Sequence, residues 1–410
     1  MPFSGCAALN RTHPKITPRP FIAEKLSLAK VIKSKGGRRD IPRVLTFQRG
    51  HMKFRVGDWV EVRSKEDILR SLDKKGQLEG MPFMPQMFQY CGQRLKVYKR
   101  AHKTCDTVFP IRGRRVSNAV HLDLRCDGEA YGGCQAACLI FWKTAWLKPA
   151  SIQGAPIGPF SRTEPLSTDS PGICASCTEA DVYAGTITGD QKSTDGPRYI
   201  CQATQLPYFT TALPWWDIRQ YLEDFTSGNV TLGQLIRGLI YASYYNLSRF
   251  GIGLGRPLRW LYDMFQSLWG GIPYPRRNGT IPADQHTPVG TLNLQAGELV
   301  QVKSYKEILA TLNTENKNRG LYFDAEAVPY CGGIHKVRTR LNKFIDEKTG
   351  RLVTLKTSSI ILEDAWCRSR YSDCRMFCPR SIYSWWREIW LERVSESPDR
   401  GPRRYTEKSS

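Results

Sequence analysis

Two stretches of this chain repeat each other, and this repeat restricts the possible folds more than any other feature of the sequence. Residues 57–106 align with residues 297–346 without a gap, and about a third of the aligned residues are identical. The alignment resumes between residues 134–147 and 378–391, where the offset is four residues larger. The copies therefore differ in length only between these stretches, where loops tolerate insertions. The repeat predicts two copies of one structural unit.

The apolar pattern within each copy predicts a short strand, a helix, several further strands and a closing helix. DWVEVRSKEDILRSL in the first copy corresponds to ELVQVKSYKEILATL in the second: alternating apolar residues, a serine, then an apolar stripe at helical spacing. Trp142 and Trp146, like Trp386 and Trp390, are four residues apart, which indicates one face of a helix. We expect an α+β fold with two β-rich repeats, each an SH3-like barrel closed by a helix, separated by a cysteine-containing loop segment and a helical hairpin.

The repeat also divides the chain into five predicted segments. These are a basic N-terminal arm (1–55), the first cysteine-bearing repeat (56–150), a middle segment with a Cys-x-x-Cys motif and a helical hairpin (151–295), the second repeat (296–394) and a disordered tail (395–410). In the middle segment one predicted helix is nearly long enough to cross a bilayer, but Gln234, Arg237 and Asn246 interrupt it, so we predict no transmembrane span. The helix around Trp260 and Arg259 could lie in a membrane interface, although core packing is the favoured interpretation.

Charge and cysteine content indicate the environment of the protein. The formal net charge is +22, and much of the excess lies before residue 50. Such an arm can bind nucleic acid or an anionic membrane surface, or it can be a solvated tail. The chain has 13 cysteines, an odd number, and its first residues lack the apolar core of a secretory signal. We therefore expect a cytoplasmic protein, in which clustered cysteines are metal ligands or redox groups rather than disulfides.

Cysteines recur at equivalent positions of the two copies. The aligned pairs are Cys91 with Cys331, Cys126 with Cys367 and Cys134 with Cys378, and each copy has a fourth, unaligned cysteine, Cys138 or Cys374. Each copy can thus offer four thiolates, the ligand number of a structural zinc ion or of an iron–sulfur cluster. The alternative is that these cysteines are buried core residues.

The middle segment carries a further cysteine set. Cys174 and Cys177 form the Cys-x-x-Cys motif, and Cys201 follows. Cys105, or His102 in its place, could provide a fourth ligand. Three cysteines around a cluster with one open iron position would permit catalysis or electron transfer, whereas a simple redox dithiol is the alternative.

Several short motifs carry a resemblance to a known group of proteins. QYCG, AHKTCD, GGCQAACLIFWKTAWL, PYCGG, IDEKTGR and FCPRSIYSWWREIWLERV together resemble a bacterial family of duplicated, cysteine-containing β-rich proteins, over residues 57–394. The opening Gly-Asp-x-Val-x-Val strand resembles SH3-like or KOW-type barrels. The family resemblance implies an accessory role beside enzymes of polysaccharide or specialised-metabolite biosynthesis, with a biosynthetic partner protein. It supplies no catalytic residues to transfer.

Three functions remain open from the sequence. The first is a zinc-binding accessory or scaffold protein without catalytic activity, because the duplicated cysteines come without a nucleophile elbow, a kinase signature or a His-Glu-x-x-His motif. The second is an iron–sulfur enzyme or electron-transfer protein with its reactive cluster in the middle segment. The third is a nucleic-acid-binding protein that uses the basic arm.

Overall fold

A computed structural model describes residues 53–108, 112–150, 177–189, 196–248, 255–268, 271–372 and 374–394. Three predicted features, namely nearly all of the basic arm, Cys174 of the Cys-x-x-Cys motif and the tail, lie outside the described residues. The remaining segments combine short antiparallel sheets with a few helices, which confirms the α+β class.

The first copy consists mainly of short strands. Its elements are β1 Trp59–Val62, α1 Lys65–Ser71, β2 Gln77–Leu78, β3 Met81–Pro82, β4 Arg94–Lys96, β5 Lys99–Arg100, β6 Lys103–Asp106, β7 Arg112–Val116, β8 Ala119–His121, β9 Trp142–Lys143 and β10 Leu147–Pro149. Short 3-10 helices cover Pro85–Tyr90, Glu129–Tyr131 and Thr144–Trp146. The strands form the sheets β10-β1-β4 and β5-β8-β9, while β7 pairs with β6 on one side and with a strand of the middle segment on the other.

The middle segment begins with short elements and continues with helices. Its elements are α2 Glu179–Ala184, β11 Ile187–Thr188, β12 Arg198–Tyr199, α3 Leu206–Phe209, β13 Thr210–Leu213, α4 Arg219–Thr226, α5 Leu232–Ser248 and α6 Gly255–Leu268. Helices α5 and α6 contact each other, as the predicted hairpin requires. Within the described ranges, no helix is both long and apolar enough to cross a bilayer.

The second copy contains longer strands. Its elements are β14 Leu299–Val302, α7 Tyr305–Ala310, β15 Lys317–Asn318, β16 Leu321–Tyr322, β17 Ile334–Ile345, β18 Leu352–Trp366, β19 Tyr383–Trp386 and β20 Leu391–Arg393, with 3-10 helices at Ala325–Tyr330 and Glu388–Trp390. Its main sheet has the order β19-β18-β17-β14-β20. No sheet closes into a barrel among the described residues, so the SH3-like prediction is not confirmed.

The helices that follow the first strand of each copy begin at a serine. The Ser64 hydroxyl accepts the Asp67 N–H at the start of α1. At the start of α7, Ser304 and Glu307 form a capping box, in which each side chain accepts the backbone N–H of the other. These bonds satisfy backbone donors that have no partner in the first helical turn. Ile68 and Ile308 then point into the two cores, where both are fully buried.

The predicted closing helices are wrong. Residues 142–149 form a strand, one 3-10 turn and a second strand, and residues 383–393 do the same. The second strand pairs with the opening strand of its copy: β10 with β1 and β20 with β14. The opening strands supply β-branched residues that favour such pairing, namely two valines each in β1 and β14. The 3-10 turn brings tryptophans four residues apart into the same core, which mimics a helical face.

Each tryptophan pair lies inside an apolar core of its own copy. The first core surrounds Trp142 and Trp146, and the second core surrounds Trp386 and Trp390. Trp146 Nε1 donates to Ser71 Oγ at 3.2 Å. Trp390 Nε1 donates to Thr311 Oγ1 at 2.9 Å, and Thr311 is the residue aligned with Ser71. The buried indole of each copy is thus held by the same kind of hydrogen bond.

Candidate metal centre

Four cysteines line one small cavity between the first copy, the second copy and the middle segment. They are Cys126, Cys134, Cys138 and Cys201. The rest of the lining is mostly apolar and includes Tyr131, Phe141 and Ile345, together with the guanidinium-bearing Arg380. The cavity volume is about 30 Å³, which is enough space for an ordered water molecule.

The backbone around Gly128 places Cys134 at the cavity. Gly128 has φ = 78°, and a Cβ at this position would lie 1.9 Å from the Cys134 carbonyl oxygen. Only glycine permits this approach of the two chain segments. On its other side, Cys134 Sγ accepts the Ile345 N–H of the second copy at 3.4 Å. Cys134 is therefore fixed both by its own loop and by strand β17.

Cys126 and Cys138 are neighbours through the backbone. The Cys126 N–H donates to the Cys138 carbonyl at 2.9 Å, and Arg125 and Leu139 beside them form an isolated antiparallel bridge. Gln86 Nε2 donates to Cys126 Sγ at 3.1 Å, so an amide already contacts this sulfur. A hydrogen bond from a neutral donor stabilises the thiolate form of cysteine.

Cys201 comes from the middle segment, and Gln202 holds it there. The Gln202 side chain is buried, accepts the Phe141 N–H at 2.8 Å and donates to the carbonyls of Phe141 and Pro82. The Cys201 N–H donates to Thr204 Oγ1 at 3.0 Å, which fixes the next turn. Gln202 therefore acts as a positioning residue for Cys201.

Burial controls the ionisation of the four thiols. It raises the pKa of Cys126, Cys134, Cys138 and Cys201. The negative charge that neighbouring thiolates would carry raises the pKa of Cys126, Cys138 and Cys201 further, and Glu347 does so at Cys134. Arg380 opposes this effect at Cys138, but Arg380 also pairs with Glu347 at 2.7 Å. Without a cation the thiols are therefore neutral, whereas a bound metal ion would favour four thiolates.

The described residues include no group of three or more His, Cys, Asp or Glu side chains placed to hold a metal ion. The donor set at the cavity nevertheless fits a soft metal, because four sulfurs are the ligands of structural zinc and of iron–sulfur clusters. These four cysteines could hold the ion only after their thiols deprotonate and converge.

The other cysteines predicted as metal ligands of the first and second copies do not join this cavity. Cys91 and Cys331 end the 3-10 helices Pro85–Tyr90 and Ala325–Tyr330, where their N–H groups donate to Phe88 and Val328. Both pack against the apolar core of their own copy. Cys374 lies near Tyr221. The alignment of the copies therefore does not determine which cysteines meet.

A second set of cysteines lies at another contact between the two copies. The Cys378 thiol hydrogen-bonds to Cys105, and Cys367 is an electrostatic neighbour of Cys378. This hydrogen bond, together with Arg380 and Arg375, lowers the pKa of Cys105 to about 6, whereas burial raises that of Cys378. Cys105, predicted as a ligand of the middle segment, is thus placed beside the second copy.

The remaining ligands predicted for the middle segment are separated from Cys201. Cys177 immediately precedes Thr178, the N-cap of α2. Its side chain is buried against the first core and does not line the cavity. The other cysteine of the motif, Cys174, lies outside the described residues. His102, the alternative fourth ligand, contacts Asp224 at 3.1 Å and the Gln220 carbonyl at 3.3 Å. His102 is therefore part of a buried polar cluster.

Sequence reasoning missed the residues that position the cavity. No motif assigned a role to Gln86, Gln202 or Arg380, and only their contacts across the chain reveal one. No known protein family and no curated protein matches this chain in sequence.

Proposed function

We propose that this protein binds one soft metal ion, zinc in the first place, through Cys126, Cys134, Cys138 and Cys201, and acts as an accessory or scaffold protein. The observation that carries the proposal is that four cysteines line one cavity of about 30 Å³. Three come from the first copy and one comes from the middle segment. Cysteines of this density in a hydrogen-bonded pocket are typical of metal ligands in reducing compartments.

A scaffold role follows from the number of ligands. When four protein thiolates fill the tetrahedral shell of zinc, no position remains for a substrate or a reactive water. The bound ion would supply the positive charge that keeps the four buried thiolates ionised. Other residues position the ligands. Gly128 permits the close approach of Cys134, the hydrogen bonds of Gln202 position Cys201, and the Ile345 N–H of the second copy donates to Cys134.

We further propose that both copies derive from one SH3-like unit. In each copy the order is a strand, a serine-capped helix, two two-residue strands, a 3-10 helix and a strand, and each ends with a 3-10 turn and a strand paired to the first. The biosynthetic partner protein and nucleic-acid binding by the arm stay predictions.

Metal analysis of the full-length protein tests the proposed zinc site. We expect protein purified without oxygen and without chelators to contain about one zinc per chain. Cys126→Ser and Cys201→Ser should each lose the metal, because three thiolates and a hydroxyl bind zinc far more weakly. Cys91→Ser and Cys331→Ser are the matched controls, since these cysteines lie outside the cavity, and both should keep the metal.

Two results would overturn the zinc assignment. A wild-type protein that is free of metal and whose thermal unfolding does not change with chelators would exclude the site. A brown protein with broad visible absorption that fades in Cys126→Ser would instead assign an iron–sulfur cluster to these cysteines.

A further inference from the structure

Helix α6 presents its apolar side to solvent and its polar side to the protein. Trp260 is 66% exposed, Phe265 57% and Leu268 75%, and Leu261 and Met264 lie on the same stripe. None of the residues of α6 is buried. In an ordinary surface helix these apolar residues would face the core. The reversed orientation indicates that something apolar covers this face.

The inward side of α6 is held by specific polar and aromatic contacts. The Asp263 carboxylate accepts the Tyr274 N–H at 2.8 Å and pairs with Arg277. The Tyr262 ring packs edge-on against Tyr241 and Tyr274. The outward direction of Trp260 and Phe265 is therefore fixed by how α6 packs.

Helix α5, which contacts both α6 and α4, also exposes apolar side chains. Gly238, Tyr241 and Tyr245 are buried, and a Cβ at Gly238 would lie 2.3 Å from the Phe377 ring, so α5 lies close against the second copy. Its opposite side exposes a stripe of aliphatic residues, and α4 with the residues before it adds more. The exposed side chains are Leu232, Ile236, Leu239, Ile240 and Leu247 on α5, and Trp215, Trp216, Ile218, Leu222 and Phe225 around α4.

The unpaired charges on α5 and α6 are positive, and the two acidic residues of α4 are paired, Glu223 with Arg115 and Asp224 with Lys103. Arg237, Arg256 and Arg259 are exposed, and the one acidic residue in the sequences of α5 and α6, Asp263, is paired with Arg277. The whole chain adds a formal net charge of +22. A second copy of the chain would bring like charges together at this face, whereas an anionic lipid surface would be attracted to it.

We propose that helices α4, α5 and α6 form a lipid-binding face that lies in the headgroup region of an anionic bilayer. The exposed tryptophans and phenylalanines would enter the boundary between headgroups and acyl chains, and the arginines would contact lipid phosphates. The helices lie in the interface and do not cross it, since none in the described part of the chain meets the requirements of a span. The face is separate from the cysteine cavity, because no residue that lines the cavity belongs to these helices.

Vesicle sedimentation with the full-length protein tests the lipid-binding face. We expect wild-type protein to sediment with phosphatidylcholine vesicles that contain phosphatidylserine, and much less with phosphatidylcholine alone. The double variant Trp260→Ser/Phe265→Ser should bind at least about tenfold more weakly, because it removes two side chains that would be buried in lipid. Arg256→Gln and Arg259→Gln should each weaken binding by about fivefold, the equivalent of roughly 1 kcal/mol.

Tyr183→Ser is the matched control, because Tyr183 is an equally exposed aromatic residue on α2, outside the helices of this face. It should bind vesicles like the wild type. All altered side chains are exposed, so circular dichroism should show unchanged folding. Unweakened binding by the double variant would overturn the proposal and assign binding to the basic arm. Binding to RNA but not to vesicles, or self-association that the double variant abolishes, would also overturn it.

Discussion

At the scale of single residues, burial determines the charge state of His121. The ring is fully buried, its Nδ1 lies 2.8 Å from the Ile140 carbonyl, and its centre lies 4.5 Å from that of Phe141. Burial lowers the pKa of His121 to about 3, against an ordinary value of 6.5. The imidazole is therefore neutral near pH 7, and it packs beside Ile140 and Phe141 of the first core.

This histidine predicts a loss of stability on acidification. In the unfolded chain His121 takes up a proton below pH 6.5, whereas in the folded protein it stays neutral down to about pH 3. Between these values the unfolded state binds more protons, so the free energy of unfolding falls as the pH falls, by roughly 1.4 kcal/mol per pH unit. Urea unfolding at pH 7 and pH 5 measures this dependence.

In His121→Asn, the decrease in unfolding free energy between pH 7 and pH 5 should be smaller by roughly 2 kcal/mol. The exposed His286 provides the control, and His286→Asn should leave the decrease unchanged. An identical pH dependence in wild type and His121→Asn would show that this histidine does not titrate differently in the two states.

The cysteines show which parts of the candidate site could be predicted from the sequence. The sequence singled out all four cavity cysteines as ligands but assigned Cys201 to a different site from Cys126, Cys134 and Cys138. Alignment of the copies detects equivalent positions, whereas the meeting of Cys201 with the first copy depends on the hydrogen bonds of Gln202. Contacts between distant segments leave no periodic signal, so spacing along the chain could not predict this grouping.

At the scale of elements, local signals predicted the openings of the copies better than their ends. Strands β1 and β14 and helices α1 and α7 follow from alternation and a serine cap, which act within a few residues. The secondary structure of the closing segments depends on their pairing with β1 and β14, about 90 residues away in sequence. Their tryptophan spacing fits both a helix and a strand with a 3-10 turn, so the pattern alone gave the wrong element.

The closing segment of the second copy should be indispensable for stability. Trp390 is fully buried, packs edge-on against Phe323 at 5.2 Å and donates to Thr311. Trp390→Ala should lower the free energy of unfolding by about 3–5 kcal/mol, because it leaves a large cavity in the core. Guanidinium unfolding followed by circular dichroism measures the change.

The control for this element is Trp216→Ala, which removes the same side chain from a position that is 66% exposed. Its effect should stay within about 0.5 kcal/mol. Equal effects of the two substitutions would contradict the placement of the closing segment in the core.

At the scale of the whole molecule, the two copies and the middle segment meet around the cysteines. Arg380 of the second copy donates to the Cys105 carbonyl of the first at 3.1 Å and pairs with Glu347. Thr107 of the first copy donates to the same glutamate at 2.5 Å. The cavity thus lies where three parts of the chain are in contact. A metal ion bound there would stabilise their arrangement as a unit.

Cobalt titration tests the four-cysteine site most directly. Cobalt(II) occupies zinc sites and absorbs intensely when thiolates bind it in a tetrahedral site. Metal-free full-length protein, titrated without oxygen, should develop thiolate-to-cobalt absorption that saturates at about one equivalent and disappears when zinc is added. Cys201→Ser should lose most of this absorption, whereas Cys331→Ser should retain it. Equal absorption in the two variants, or none in the wild type, would contradict a metal site formed by Cys126, Cys134, Cys138 and Cys201.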